Sequence, residues 1–147
     1  MRAVVTRVSS ASVTIDGAVE GTIEKGYLIL LGVGPEDNEE ICDKLAEKIC
    51  NLRVFEDENG KMNLSLEQVG GAMLVISQFT LYADTSSRRP GFSRAAKPDL
   101  AIPLYERFLD RCRQRVFRVE HGRFGADMKV ASVNDGPVTI LFDTEAK

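Results

Sequence analysis

The sequence contains no tryptophan and a single histidine, His121, in 147 residues. One histidine excludes any site built on several imidazoles, and no Cys/His cluster has zinc spacing, so no metal is expected. Cys42, Cys50 and Cys112 are odd in number. The first two lie about 12 Å apart by helical rise, too far to bridge, so all three read as reduced thiols. No apolar run approaches the roughly 20 residues that a membrane-spanning helix needs. The N-terminus opens on strand-like alternation without a long apolar leader segment, which points to the cytoplasm. Neither a phosphate-cradling P-loop nor a dinucleotide fingerprint is present, so no cofactor is expected. No Gly-x-Ser-x-Gly elbow surrounds Ser77 or any other serine. His121 precedes a glycine in a turn, a poor setting for a catalytic base.

What is present suits one globular domain spanning residues 1–147, with 44% apolar and 28% charged residues. Arg2 to Ser9 alternates, with Ala3, Val5 and Arg7 on one face. Ser12 to Ile15 and Val19 to Ile23 flank Asp16-Gly17, a strong hairpin signal. Tyr27 to Val33 is an apolar run that reads as a strand buried on both faces. Asp37 and Glu40 have capping-box spacing, and Ile41, Leu45, Ile49 and Leu52 follow at helical spacing. Arg53 to Glu56 reads as a short strand before the Glu58-Asn59-Gly60 turn, and Ala72 to Thr80 as a second central strand. Thr85 to Lys97 follows neither period and reads as a functional loop. A second helix is expected over Ile102 to Val116, burying Leu104, Phe108 and Cys112. Phe117 to Glu120, Met128 to Val133 and Val138 to Asp143 supply the last strands. The fold class is therefore α/β, with helices packed on mixed sheet. Two helices cover only one sheet face, leaving the other for further strands or a partner subunit.

Charge is uneven within a net of −3: Thr85 to Arg123 carries ten Lys/Arg against four Asp/Glu. Such a face suits a partner with a defined phosphate path, although the helical arginines equally fit a solvated helix surface. Ser77-Gln78-Phe79-Thr80-Leu81-Tyr82-Ala83-Asp84 places polar groups where an apolar strand ends. Asn134-Asp135-Gly136-Pro137-Val138-Thr139 places a Gly-Pro step in a turn before a β-branched strand, where a cis bond would sit. In a cis unit the two carbonyls point the same way, as a rigid acceptor pair without a side chain at Gly136.

With Gly122-Arg123-Phe124-Gly125-Ala126-Asp127-Met128 and the opening Met1 to Val8, these two motifs make the whole chain resemble the D-aminoacyl-tRNA deacylase family. The resemblance implies a homodimeric, single-domain three-layer α/β sandwich that hydrolyses the ester at the 3′ end of D-aminoacyl-tRNA. It implies that Ser77, Gln78, Phe79 and Thr80 line the catalytic pocket, with the substrate's 2′-hydroxyl taking part. Gly136 and Pro137 of one subunit would enter the other's site and exclude an L side chain. Arg7 would brace that unit, with Asn134 and Asp135 supporting it. Phe124 and Met128 would form the pocket wall, or else pack as plain core. Arg88, Arg89 and Arg94 are candidates for tRNA phosphates. Backbone amides around Phe79 and Thr80 are plausible donors to a developing oxyanion. Two alternatives stand beside this: a related deacylase acting on L-amino acid-mischarged tRNA, and a non-catalytic tRNA-binding module.

Overall fold

The protein is described by a computed structural model covering residues 1–146. Strands β1 (Arg2–Ile15), β2 (Ala18–Ile23), β3 (Gly26–Gly32), β6 (Ala72–Ser77), β7 (Arg118–His121) and β8 (Lys129–Asp143) form one mixed sheet. β4 (Phe55–Glu56) and β5 (Met62–Leu64) form a separate two-stranded ribbon. Helices α1 (Glu39–Cys50) and α2 (Pro98–Arg113) pack together, and a 3₁₀ turn occupies Phe79–Tyr82. None of the helices is long and apolar enough to cross a membrane.

Between β1 and β2, Asp16 and Gly17 both take positive φ, 50° and 79°, matching the twist of the strands they join. β3, β6 and β7 run parallel, so their carboxyl ends emerge at one edge. Tyr27, Ile29, Met73 and Val75 face the helices, where Leu45, Ile49, Leu104, Phe108 and Cys112 meet them. Each buried Leu, Ile, Val, Met or Phe among them contributes about 1.5–3 kcal/mol by leaving water. The opposite face of the same strands, Leu28, Leu74 and Ile76, is covered by Val8, Ala11, Val13 and Ile15 of β1 and by Ile23 of β2. β1 thus bends over the central strands, and the sheet curls into a near-barrel. Helices, central strands and this curled arm make the three layers of the expected α/β class.

Local boundaries differ where tertiary contacts intervene. Asn38, rather than Asp37, caps α1, its Oδ1 accepting the Ile41 amide at 2.9 Å. Asp37 turns inward instead, accepting the Gly34 amide at 2.6 Å and pairing with the Met1 ammonium at 2.8 Å. α2 starts at Pro98, four residues before the expected Ile102, because a proline at the first helical position forgoes an amide bond the first turn does not use. Pro103 lies inside the helix. The central strand ends at Ser77 rather than Thr80, because the chain turns into the 3₁₀ segment. The two expected C-terminal strands are one, β8, which continues through Gly136-Pro137.

Candidate functional site

β8 pairs with β1 along almost its whole length, with register shifts on either side of Val8, the larger of them before it. Between the pairs Thr6↔Thr139 and Val8↔Asn134, β1 advances two residues and β8 five. The three extra residues loop outward, with a cis peptide between Gly136 and Pro137. Opposite them stands Arg7, only 6% exposed. Its Nε donates to the Asp135 carbonyl at 2.9 Å and its Nη1 to the Val54 carbonyl at 2.6 Å. A buried guanidinium needs such acceptors, and meeting them ties the loop to the body of the protein. On the other side, Asn134 Oδ1 accepts the Val138 amide at 3.0 Å, spanning the Gly-Pro step. Gly136 has φ of +139°, and a Cβ there would lie 2.7 Å from Val138 Cγ2 and 3.0 Å from Arg7 Nη2. Only glycine fits.

At the carboxyl edge of the parallel strands, β6 ends at Ser77 and the chain turns into the 3₁₀ segment. Gln78 is fixed through its amide, which donates to the Leu31 carbonyl at 2.7 Å. Its side-chain Nε2 donates to Thr80 Oγ1 at 3.0 Å, so the threonine hydroxyl is held by an amide rather than a base. The next two amides, of Phe79 and Thr80, have no acceptor among the described residues, and both residues are exposed. Phe124 and Met128 border the same edge. Phe124 packs on Tyr105, whose hydroxyl donates to the Val75 carbonyl at 2.9 Å. The Met128 sulfur fills the space over Gly122, beside Ile76.

No general acid or base stands among these groups. His121 Nδ1 donates to the carbonyl of its neighbour Gly122 at 2.6 Å. The Asp84 carboxyl is held below its usual range by the Ser86 backbone amide, then by the Ser86 hydroxyl and Arg94. Asp127 pairs with Lys129 at 3.0 Å. The site's assets are backbone donors, polar side chains and shape.

The two halves lie at opposite ends of the central strands. Ser77 pairs with Leu31 and so with Ala3, whereas the Gly-Pro loop sits beside Arg7, four residues along β1. At about 3.3 Å per residue, that is a separation of about 13 Å along the sheet. Within one chain they do not meet.

The arginines also separate. Arg107 pairs with Glu39 and Asp43, Arg111 with Asp43, Arg113 with Asp110, and Arg115 with Glu47 and Glu67. Arg107, through its hydrogen bond above all, holds the Asp43 carboxyl below its usual range. Arg88, Arg89, Arg94 and Lys97 are exposed and form no ion pair among the described residues. Arg107 and Arg111 thus tie α2 to α1, Arg115 just past α2 joins Glu47 and Glu67, and the loop carries the positive charge that has no ion pair among the described residues. Two contributors went unforeseen in the sequence. Val54 offers only a carbonyl, which no side-chain pattern reveals; Phe92, which meets the Phe79 ring edge to face at 5.1 Å, is an aromatic in a polar loop, a signal the sequence does carry.

A family model described as D-Tyr-tRNA(Tyr) deacylase matches residues 4–143. A protein named D-aminoacyl-tRNA deacylase from Symbiobacterium thermophilum is 59% identical over 99% of this chain and 97% of its own. One of the same name from Thermosipho africanus is 55% identical over 99% and 98%. A solved structure titled c-Myc DNA Unwinding Element Binding Protein superposes with a TM-score of 0.93 at 40% identity, covering 99% of this chain and 100% of that one. A second, described as a probable eukaryotic D-amino acid tRNA deacylase, shares the fold at 15% identity, with a TM-score of 0.85. With a family model spanning nearly every strand, and relatives above half identity along their full lengths, the chain belongs to the D-Tyr-tRNA(Tyr) deacylase family.

Proposed function

We propose that two copies of this chain build each active site together, Gly136-Pro137 of one subunit completing the Ser77–Thr80 edge of the other. The reaction is hydrolysis of the ester of D-aminoacyl-tRNA, releasing D-amino acid and tRNA. The observation that carries the two-subunit reading is the separation of about 13 Å between the halves within one chain. The surface supports it. Every residue from Lys129 to Pro137 is exposed although β8 is a strand, and Val133 and Leu141 are 56% and 76% exposed. An open edge strand carrying apolar side chains is a natural pairing surface. Light scattering at micromolar concentration should find a dimer with two equivalent sites. A fully active monomer would overturn the arrangement. Because the substrate is a tRNA, the compartment proposed is the cytoplasm.

In the chemistry proposed here, an aminoacyl ester is already activated by its α-ammonium and flanked by a ribose hydroxyl. Holding ester and water in place, with the Phe79 and Thr80 amides at the developing oxyanion, then suffices. Gln78 positions Thr80, and the Thr80 hydroxyl orients the substrate rather than attacking it. Two carbonyls of the Gly-Pro unit hold the α-ammonium, while its backbone fills the volume an L side chain requires. Arg88, Arg89 and Arg94 contact phosphates.

Hydrolysis of D-tyrosyl-tRNA by the purified protein tests the reaction itself. A binding module would leave the ester intact. Thr80→Ala should retain a substantial part of the rate and His121→Ala nearly all of it. A loss of about 10⁴-fold in either folded variant would require covalent or general-base catalysis instead.

A further inference from the structure

The loop from Thr85 to Lys97 is more ordered than its composition suggests. Asp84 and Gly91 exchange both backbone hydrogen bonds, at 2.7 and 2.9 Å, closing a six-residue turn that carries Arg88 and Arg89. Ala96 donates to the Val33 carbonyl at 2.9 Å, anchoring the far end to the carboxyl edge of β3. Just past the closure, Phe92 meets Phe79 edge to face, with ring centroids 5.1 Å apart. Phe79 remains 55% exposed. This aromatic pair, with Phe79 exposed and Phe92 half-buried, is flanked by arginines that form no ion pair among the described residues, and so combines the two elements of single-strand recognition: a stacking platform and a basic track.

We infer that Phe92, braced against Phe79, is a stacking subsite for the nucleotide preceding the esterified adenosine, with Arg88, Arg89 and Arg94 following its phosphates. This rests on the deacylase reading, and deepens it by naming which part of the tRNA the loop holds. The single-stranded 3′ end of a tRNA offers unstacked bases that duplex-binding surfaces do not use. The positions fit: the amides at Phe79 and Thr80 define where the ester lies, so the Phe79–Phe92 pair adjoins the nucleotides next to it. Stacking tolerates any base, consistent with a subsite for an end sequence shared by all tRNAs.

The test titrates the dimer with a labelled CCA trinucleotide and with adenosine 5′-phosphate, in the native protein, Phe92→Leu and Phe92→Tyr. The trinucleotide should bind the native protein about tenfold more tightly than the mononucleotide. Phe92→Leu should reduce that advantage to about twofold, and Phe92→Tyr should preserve it. Arg88→Ala and Arg89→Ala should each lower the salt slope of trinucleotide binding by roughly 0.7. The same ratios should appear in hydrolysis of the D-tyrosyl esters of the two nucleotides. An advantage that is absent in the native protein, or unchanged in Phe92→Leu, overturns the subsite. So does a Phe92→Leu protein whose only change is weaker self-association, which would place the ring between subunits. If trinucleotide binding behaves as stated but neither ester is cleaved, the deacylase reading fails and the subsite stands.

Discussion

Gly136→Ala should lower hydrolysis of D-tyrosyl-tRNA by about a hundredfold or more while leaving the protein folded. The glycine has φ of +139°, and a Cβ would sit 2.7 Å from Val138 Cγ2 and 3.0 Å from Arg7 Nη2. One neighbour is a branched side chain and the other a guanidinium already committed to the Asp135 and Val54 carbonyls. Neither retreats freely, so the loop itself must move, and a displacement near 1 Å at a positioning element costs about 10²-fold in rate. The loop is exposed and lies outside both cores, so the global fold should survive. Single-turnover hydrolysis together with circular dichroism checks this. A folded Gly136→Ala protein with more than half the native rate would show that this backbone does not shape the site.

Glycyl-tRNA should be cleaved alongside D-tyrosyl-tRNA, and L-tyrosyl-tRNA should be slower than both by about a hundredfold or more. Forcing a side chain into filled volume costs 1–3 kcal/mol or more, the upper end of which is about a hundredfold. Glycine has no side chain to collide with, so a site that works by exclusion cannot reject it. Correctly charged glycyl-tRNA would then need protection by other means. A side-by-side assay of the three esters decides the matter. Resistance of glycyl-tRNA equal to that of L-tyrosyl-tRNA would mean that a positive side-chain pocket selects the substrate.

The sequence by itself determined the local structure that short-range chemistry controls. Asp16-Gly17 makes the hairpin because both positions need positive φ. Leu45 and Ile49, like Leu104, Phe108 and Cys112, fall on buried helix faces because their spacing matches the helical turn. The two motifs at Ser77–Asp84 and Asn134–Thr139 identified the family for the same reason: a strand end and a turn are written in consecutive residues. The tertiary structure decided everything that depends on distant partners. Asp37 leaves its capping position for the Met1 ammonium, and β8 runs on through the Gly-Pro loop because β1 pairs on both sides of it. Arg107 and Arg111 of α2 look like the arginines of the preceding loop until Glu39 and Asp43 on α1 claim them. Only the fold places Gly136 and Thr80 at opposite ends of the central strands. Separation along a sheet follows from strand pairing, and pairing joins residues far apart in the chain.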